Sequence, residues 1–583
     1  MNPHLRVGRL LPAVAVALAL PASLAGRGGG IRAELDVPVP MRDGTVLRAD
    51  VFRPDDNEPH PVLVLRTPYG KQGFKPDEYV RAGYVVVRQD ARGRYASGGT
   101  FESFVRPETH DAEDGYDTVE WAARLPGSNG KVGTFGASYN AFLQWRLAAL
   151  RPPSLVCMAA QTIPARYPDL EGPGTIRPGR RLAWWVTTIS PDLRRRAGRP
   201  GTHTSGEARA LWDAGEAQNW LGFLPWADLP DRAFEDEAPA VRAWLKAPHR
   251  DPWQLDAACK EVAVPNLDVV GWFDHCNGDM RLYRTMVREG RTEVARTGQR
   301  LVVGPWGHVT RGQRKFGAID FGPDAVVSVR DLELRWFDHW LKGKADLGPP
   351  VRIFVMGANR WRDEREWPPA RAERHELFLA GGGRANTPAG DGRLVARSSA
   401  EALSDRYRYD PRDPVPSLYR PGLYTVPADQ RPLATRRDIL VYQTEPLAEP
   451  LEVTGNPEVE LYAASSAPDT DFFARLIDVA PDGLARDVAM GMVRARYRTS
   501  PEASELLRPG RVYRFSIRLS ATANLFLVGH RLRLDVTSSD FPNYDRNHNT
   551  PHDQNADATL AVAEQAVWHG GPHPSKLILP RIR

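Results

Sequence analysis

Cysteine is scarce: Cys157, Cys259 and Cys276 are the only three in 583 residues. So few exclude a disulfide-built scaffold, and their spacing excludes the usual zinc-ligand pairs. At most one bridge can form, and three buried free thiols are the equal alternative. A basic block or stripe is also missing. The chain has 77 Lys and Arg against 72 Asp and Glu, a formal net charge of only +5, so nucleic-acid binding has no electrostatic footprint. No Gly-rich loop ending in Lys-Ser or Lys-Thr follows a strand-like run, which removes the usual phosphate cradle. Beyond the N-terminus no apolar run approaches the roughly 20 residues needed to span a bilayer. Internal repeats are absent too.

What is present is globular: 42% hydrophobic and 26% charged residues, in a chain long enough for two to four domains. Arg6 and Arg9 precede an apolar run from Leu10 to Leu20, followed by Pro21-Ala22-Ser23-Leu24-Ala25. A charged start, a short apolar run and small residues at the end describe a secretory signal over 1–25, and hence a secreted or periplasmic protein. A membrane anchor is the alternative, but the run is too short to span. No cysteine near the cleavage position suggests lipid attachment.

Two apolar runs around Asp43-Gly44 predict an antiparallel hairpin. Solidly apolar runs then follow at Pro61–Leu65, Tyr84–Val87 and Gly130–Phe135, with a helix over Glu113–Ala123 between them. Buried parallel strands alternating with helices describe a doubly wound α/β sheet over 32–163. Strand-like runs vanish from Pro164 to Asp256, a segment rich in Arg, Trp and Pro that reads as a helical cap (164–256). They resume at Val262–Trp272 and Arg300–Val303, followed by a helix carrying Leu334, Phe337 and Leu341 that ends at Gly343, which completes the α/β domain over 257–350. Past Gly348-Pro349-Pro350 the pattern alternates with period two: Tyr513, Phe515, Ile517 and Leu519 against Arg514, Ser516 and Arg518, then Leu532, Leu534 and Val536 against Arg531, Arg533 and Asp535. Half-buried antiparallel strands over 351–583 predict a β-sandwich, with Gly381–Pro432 as loops between them.

Chemistry concentrates at Gly136-Ala137-Ser138-Tyr139-Asn140, between a predicted strand and a helix. A serine on such a strained corner is a nucleophile elbow, its Oγ standing clear of the sheet beside the amides of a helix N-terminus. The plainer reading is a helix N-cap serine. Asn140 stands where the general motif has its second glycine, and Asn tolerates unusual backbone angles. A nucleophilic serine needs a base and an orienting acid, in the order Ser, Asp/Glu, His at strand ends. Asp274 follows the run ending at Trp272, and His308 follows the run ending at Val303. Asp279 competes as the acid, and His275 can line the site. Asp338-His339 lies within a helix, where neighbours point apart, and His110 is out of order. Tyr69, in the loop after Leu65, can donate a phenolic hydrogen bond to an oxyanion, with the Tyr139 amide as second donor.

Taken together, Met41-Arg42-Asp43-Gly44, Arg66-Thr67-Pro68-Tyr69, Gln89–Arg94, Gly136–Tyr139, Gly271–Asp274, Gly304–His308 and Arg335–Leu341 make the chain similar to a known family. It comprises cocaine esterase, X-Pro dipeptidyl-peptidases, α-amino-acid ester hydrolases and glutaryl-cephalosporin acylases. The resemblance implies an α/β-hydrolase domain interrupted by a helical cap, then a C-terminal jelly-roll β-sandwich. It implies a Ser138, Asp274, His308 triad with Tyr69 and Tyr139 as the oxyanion hole, and neither metal nor organic cofactor. Small esters or amides are the expected substrates, with an X-Pro exopeptidase as the alternative within the class. The alternative outside it is a non-catalytic, carbohydrate-binding protein. A homo-oligomer is compatible with each reading. Two positions depart from the family: Ala141, where it usually has glycine, and His275-Cys276-Asn277, where its amino-ester hydrolases carry acidic residues that hold a substrate ammonium.

Overall fold

The computed structural model describes residues 30–583 except 173, 216–217, 278–279, 345, 388 and 419–426. The predicted signal segment and Asp279 lie outside the described residues. None of the helices described is long and apolar enough to cross a membrane.

The expected hairpin forms as β1 (Ile31–Pro40) and β2 (Val46–Pro54), paired antiparallel around the Asp43-Gly44 turn. The three apolar runs become β3 (His60–Thr67), β4 (Val85–Asp90) and β5 (Ser128–Ala137), and a fourth strand that was not predicted, β6 (Leu155–Gln161), joins them; all four are parallel, in the order β1-β2-β4-β3-β5-β6. Helices α1 (Asp77–Arg81), α2 (Asp111–Ala123) and α3 (Tyr139–Ala148) cover the sheet. The second stretch supplies β7 (Leu267–Gly271) and β8 (Arg300–Gly304), again parallel. Strand β7 is shorter than the predicted 262–272 run, because Pro265 has no N–H to give a ladder.

The two halves of the sheet meet at that proline. Met158 on β6 donates to the Pro265 carbonyl at 3.0 Å. One residue on, the Asn266 side chain replaces the missing backbone partner: its Oδ1 accepts from the Ala160 amide at 2.7 Å and its Nδ2 donates to the Ala160 carbonyl at 3.1 Å. A side-chain amide thus carries the ladder from β6 to β7. The sheet also runs on past position 350. Val351–Val355 pairs parallel with β8, and Arg360–Glu364 pairs antiparallel with Val351–Val355.

Between β6 and β7 the described residues form helices and turns only, including Pro178–Trp184, a π-helical turn at Trp185–Ile189, and Ser205–Asp213. The last starts with a capping box, Thr204 with Glu207. Thirteen strands between Glu373 and Ile582, nearly all antiparallel, make the β-sandwich. The strand Tyr513–Arg518 alternates as predicted, with Phe515 and Ile517 buried and Arg514, Ser516 and Arg518 exposed. Arg531–Thr537 departs from the prediction. It lies between Ile439–Gln443 and Asp471–Val479 and is buried on both faces, Arg533 and Asp535 pairing at 2.6 Å. Leu403–Tyr409, expected as loop, is a strand with Asp405, Tyr407 and Tyr409 buried against exposed Arg406 and Arg408. An inward-facing aspartate hid that alternation; its carboxylate accepts from Tyr442 and bonds His569.

The sandwich also clamps the helical segment between β6 and β7. Gly179 donates to the Pro542 carbonyl at 2.8 Å, and Asn555 donates to the Leu245 carbonyl at 2.7 Å. Fully buried Arg494 pairs with Asp471 and Asp545 and donates to the Gly174 carbonyl. Cys157, Cys259 and Cys276 are buried free thiols, so no bridge contributes.

Replacing Asn266 by Ala strands two buried backbone groups of Ala160, which should cost about 3 kcal/mol. Urea unfolding with an unchanged slope reads this as a lower midpoint; an unmoved midpoint would show that the side chain does not carry the ladder.

Candidate active site

Strand β5 ends at Ala137, and Ser138 turns the chain into α3 with φ 62° and ψ −124°. A non-glycine residue holds such angles only where its surroundings fix them. Here the Ser138 amide donates to the Gln161 carbonyl at 2.9 Å, and its own carbonyl accepts from Ala141 and Phe142. The Ser138 side chain makes no capping bond to α3; the plain N-cap reading is therefore excluded. Gly136 has φ +125°, and a β-carbon there would fall 2.8 Å from both Asn140 Cβ and Leu65 Cδ1. Asn140 itself is helical, so its tolerance of odd backbone angles is not used.

Asp274 and His308, the residues expected as acid and base, follow the ends of β7 and β8. A β-carbon on residue 271 would sit 1.8 Å from the Trp306 carbonyl oxygen, and one on residue 304 would sit 2.1 Å from the Trp306 ring. With glycine at both positions the two loops interlock. Trp272 donates to the Gly304 carbonyl at 2.9 Å and Phe273 to the Trp306 carbonyl at 3.2 Å. Asp274 and His308 are consequently face to face and buried, with His308 Nδ1 lying 3.0 and 3.1 Å from the two carboxylate oxygens. Asp274 Oδ1 also accepts from the Cys276 amide at 2.8 Å. Asn277 ties this loop to the sandwich through the Ala521 carbonyl at 3.2 Å.

The Tyr69 loop is held from below by Arg94, which is fully buried. Its Nε donates to the Pro68 carbonyl at 2.9 Å, and its Nη1 to the Ile189 carbonyl at 2.9 Å. One guanidinium therefore joins the loop after β3 to the π-helical turn of the cap. Tyr69 and Tyr139 meet edge to face, with ring centres 6.4 Å apart.

Ser138, His308 and Tyr69 line one cavity of about 320 Å³, with Arg180, Trp184, Thr188, Arg209 and Arg311. A narrow recess beside it is lined by Ser138, Tyr139, Phe104, Trp253, His275 and Cys276. His275 lies close to His308, their ring centres 4.5 Å apart. Burial, then the charges of Arg180, His308, Arg177 and Arg181, hold its proton affinity well below normal, so it is neutral.

Ligand atoms of Asp274, His275, Cys276 and His308 lie within 4.8 Å of one another. They are the one group among the described residues with metal-holding geometry. Any such ion would compete with the His308–Asp274 bond, and it would need a Cys276 thiolate that burial opposes.

The rival residues serve elsewhere. Asp338 accepts from Tyr84 and Lys342, and His110 is an exposed partner of Glu102. Sequence reasoning missed the arginines and Trp184 at the cavity. Their one signal was the Arg- and Trp-rich composition of the cap.

Asp268, on β7 behind the site, is drawn out of water and lies near Asp274. Its proton affinity rises from 3.8 to about 7, burial first and the Asp274 charge after it. Between these values the folded carboxyl keeps its proton while the unfolded one has lost it, so stability falls as pH rises through the window. Asp268→Asn should flatten that slope in urea titrations between pH 4 and 7; an unchanged slope would place its origin elsewhere.

With this geometry in view, the likenesses to known proteins are consistent. Residues 43–310 match the X-Pro dipeptidyl-peptidase (S15 family) model, and residues 343–578 match the X-Pro dipeptidyl-peptidase C-terminal non-catalytic domain. Cocaine esterase of Rhodococcus sp. (strain MB1 Bresler) is 37% identical, over 94% of this chain and 98% of its own. An aminopeptidase from a marine sediment Thaumarchaeota archaeon superposes with a TM-score of 0.75 at 27% identity, covering 95% of this chain and 96% of that one. An α-amino acid ester hydrolase gives the same TM-score at 25% identity, covering 98% and 100%. The chain belongs to the cocaine esterase and X-Pro dipeptidyl-peptidase family of serine hydrolases.

Proposed function

We propose that this hydrolase cleaves small acyl esters or amides through an acyl-enzyme on Ser138. The observation that carries the reading is the pairing of His308 with Asp274 in a cavity wall shared with a strained, uncapped Ser138. His308 takes the serine proton as Oγ attacks the acyl carbon. Its other nitrogen is held by Asp274, which fixes the tautomer and stabilises the imidazolium. The Tyr69 hydroxyl and the Tyr139 amide hold the oxyanion, the amide with the help of the α3 N-terminus. Collapse expels the alcohol or amine with the proton from His308. Water then attacks the acyl-enzyme, again through His308, and frees the acid.

An esterase or acylase fits better than an X-Pro exopeptidase. An exopeptidase must read a free amine with a carboxylate, and no carboxylate among the described residues lines the cavity with Ser138. The carbohydrate-binding alternative leaves the strain at Ser138 and the interlocked Asp274 and His308 loops without a purpose. The Arg6 to Ala25 segment supports export to the periplasm or beyond.

Ser138→Ala should lower kcat on p-nitrophenyl acetate by about 10⁴-fold or more with the unfolding midpoint unchanged. Near-normal turnover would remove Ser138 as nucleophile. Tyr69→Phe should cost roughly a hundredfold in kcat with little change in KM; an unchanged kcat would remove its hydroxyl from the oxyanion hole.

A further inference from the structure

The cavity that holds Ser138 and His308 is lined by three arginines, Arg180, Arg209 and Arg311, and by no acidic residue among those described. Arg209 is half-buried on the cap helix Ser205–Asp213 and makes no ion pair among the described residues. Arg311, three residues beyond His308, donates to the side-chain carbonyl of Gln161, a neutral acceptor that leaves its charge in place. The carboxyls that feel Arg311 are Asp268 and Glu333, neither of which lines the cavity. Behind the same wall, burial first and then the charges of Arg180, His308, Arg177 and Arg181 keep a proton off His275. The surroundings of the nucleophile are therefore positive on the cap side and on the side of the loop after β8. An ammonium-bearing substrate meets repulsion there, and an anion meets guanidiniums with fork geometry suited to a planar carboxylate.

We infer that the preferred substrate carries a carboxylate, bound by Arg209 and Arg311 in the cavity wall while its ester or amide lies against Ser138. This deepens the hydrolase reading of the same site and rests on it. This requires a carboxylate set some atoms away from the scissile bond. A half-ester of a dicarboxylic acid meets this on the acyl side, and an acyl ester of a hydroxybenzoate meets it on the leaving-group side.

The test compares matched charged and neutral esters, with spontaneous hydrolysis subtracted. On the acyl side these are p-nitrophenyl hydrogen adipate, its methyl ester, and the p-nitrophenyl ester of 6-aminohexanoate. On the leaving-group side they are 4-acetoxybenzoate and its methyl ester. The expected result is kcat/KM about tenfold higher for the anion in at least one arm, expressed in KM and weakening as salt is raised. The ammonium ester should be the poorest of the acyl series. Arg209→Gln and Arg311→Gln should each bring the anion-to-neutral ratio towards one, and Arg209→Lys should keep most of it. A wild-type ratio at or below one in both arms overturns the inference, as does a ratio unmoved in both glutamine variants. The neutral esters test the hydrolase reading separately. If their turnover is Ser138-dependent and the ratio is flat, only the carboxylate inference fails.

Discussion

The carbonyl oxygen of Trp306 occupies the space where any residue larger than glycine at position 271 would put its β-carbon. That close approach brings the chain leaving β7 against the chain leaving β8, and two backbone hydrogen bonds hold it. Asp274 and His308 meet because their loops interlock three and four residues earlier in the chain. The precision of the pair is thus a property of rigid strand ends, which suits the proposed role of His308 as a base that keeps one tautomer. It also explains why the sheet must be continuous across Pro265, where Asn266 supplies the missing ladder bonds. A gap there would let β7 and β8 move relative to β5, and so Asp274 and His308 relative to Ser138.

Two other supports converge on the same place. Arg94 joins the Tyr69 loop to the π-helical turn at Trp185–Ile189, so the helical segment between β6 and β7 is tied to the cavity wall that carries Ser138. The sandwich in turn holds the cap at Gly174, Gly179 and Leu245, and holds the Asp274 loop at Asn277. Among the described residues, none of the C-terminal half lines the cavity wall that carries Ser138. Its role is to fix the segments that do.

Much of this was legible in the sequence because it depends on local pattern. Ser138, Asp274 and His308 each follow an apolar run, and the chain order of the three leaves few alternatives. The hairpin, the parallel strands and the helix ending at Gly343 are likewise short-range signals. What failed was long-range. Arg533 and Asp535 were read as facing solvent because charges at alternate positions usually do, but they neutralise each other in a strand covered on both faces. Leu403–Tyr409 carries no strand signal because its inward aspartate breaks the pattern that Tyr407 and Tyr409 continue. Asn266 carries no local signal, Arg94 stands out only as the end of the Gln89–Arg94 match, and the cavity arginines only as part of an Arg-rich composition. Their importance comes from partners dozens to hundreds of residues away, as with Arg311 and Gln161.

The central claim is that Ser138 is an activated nucleophile, and covalent trapping tests it most directly. A fluorophosphonate probe followed by peptide mass spectrometry should place one adduct per chain on the peptide containing Ser138. The adduct should be lost in His308→Ala, in which the base is missing but the serine remains. An unlabelled protein, or a label on another residue that persists in Ser138→Ala, would contradict the account.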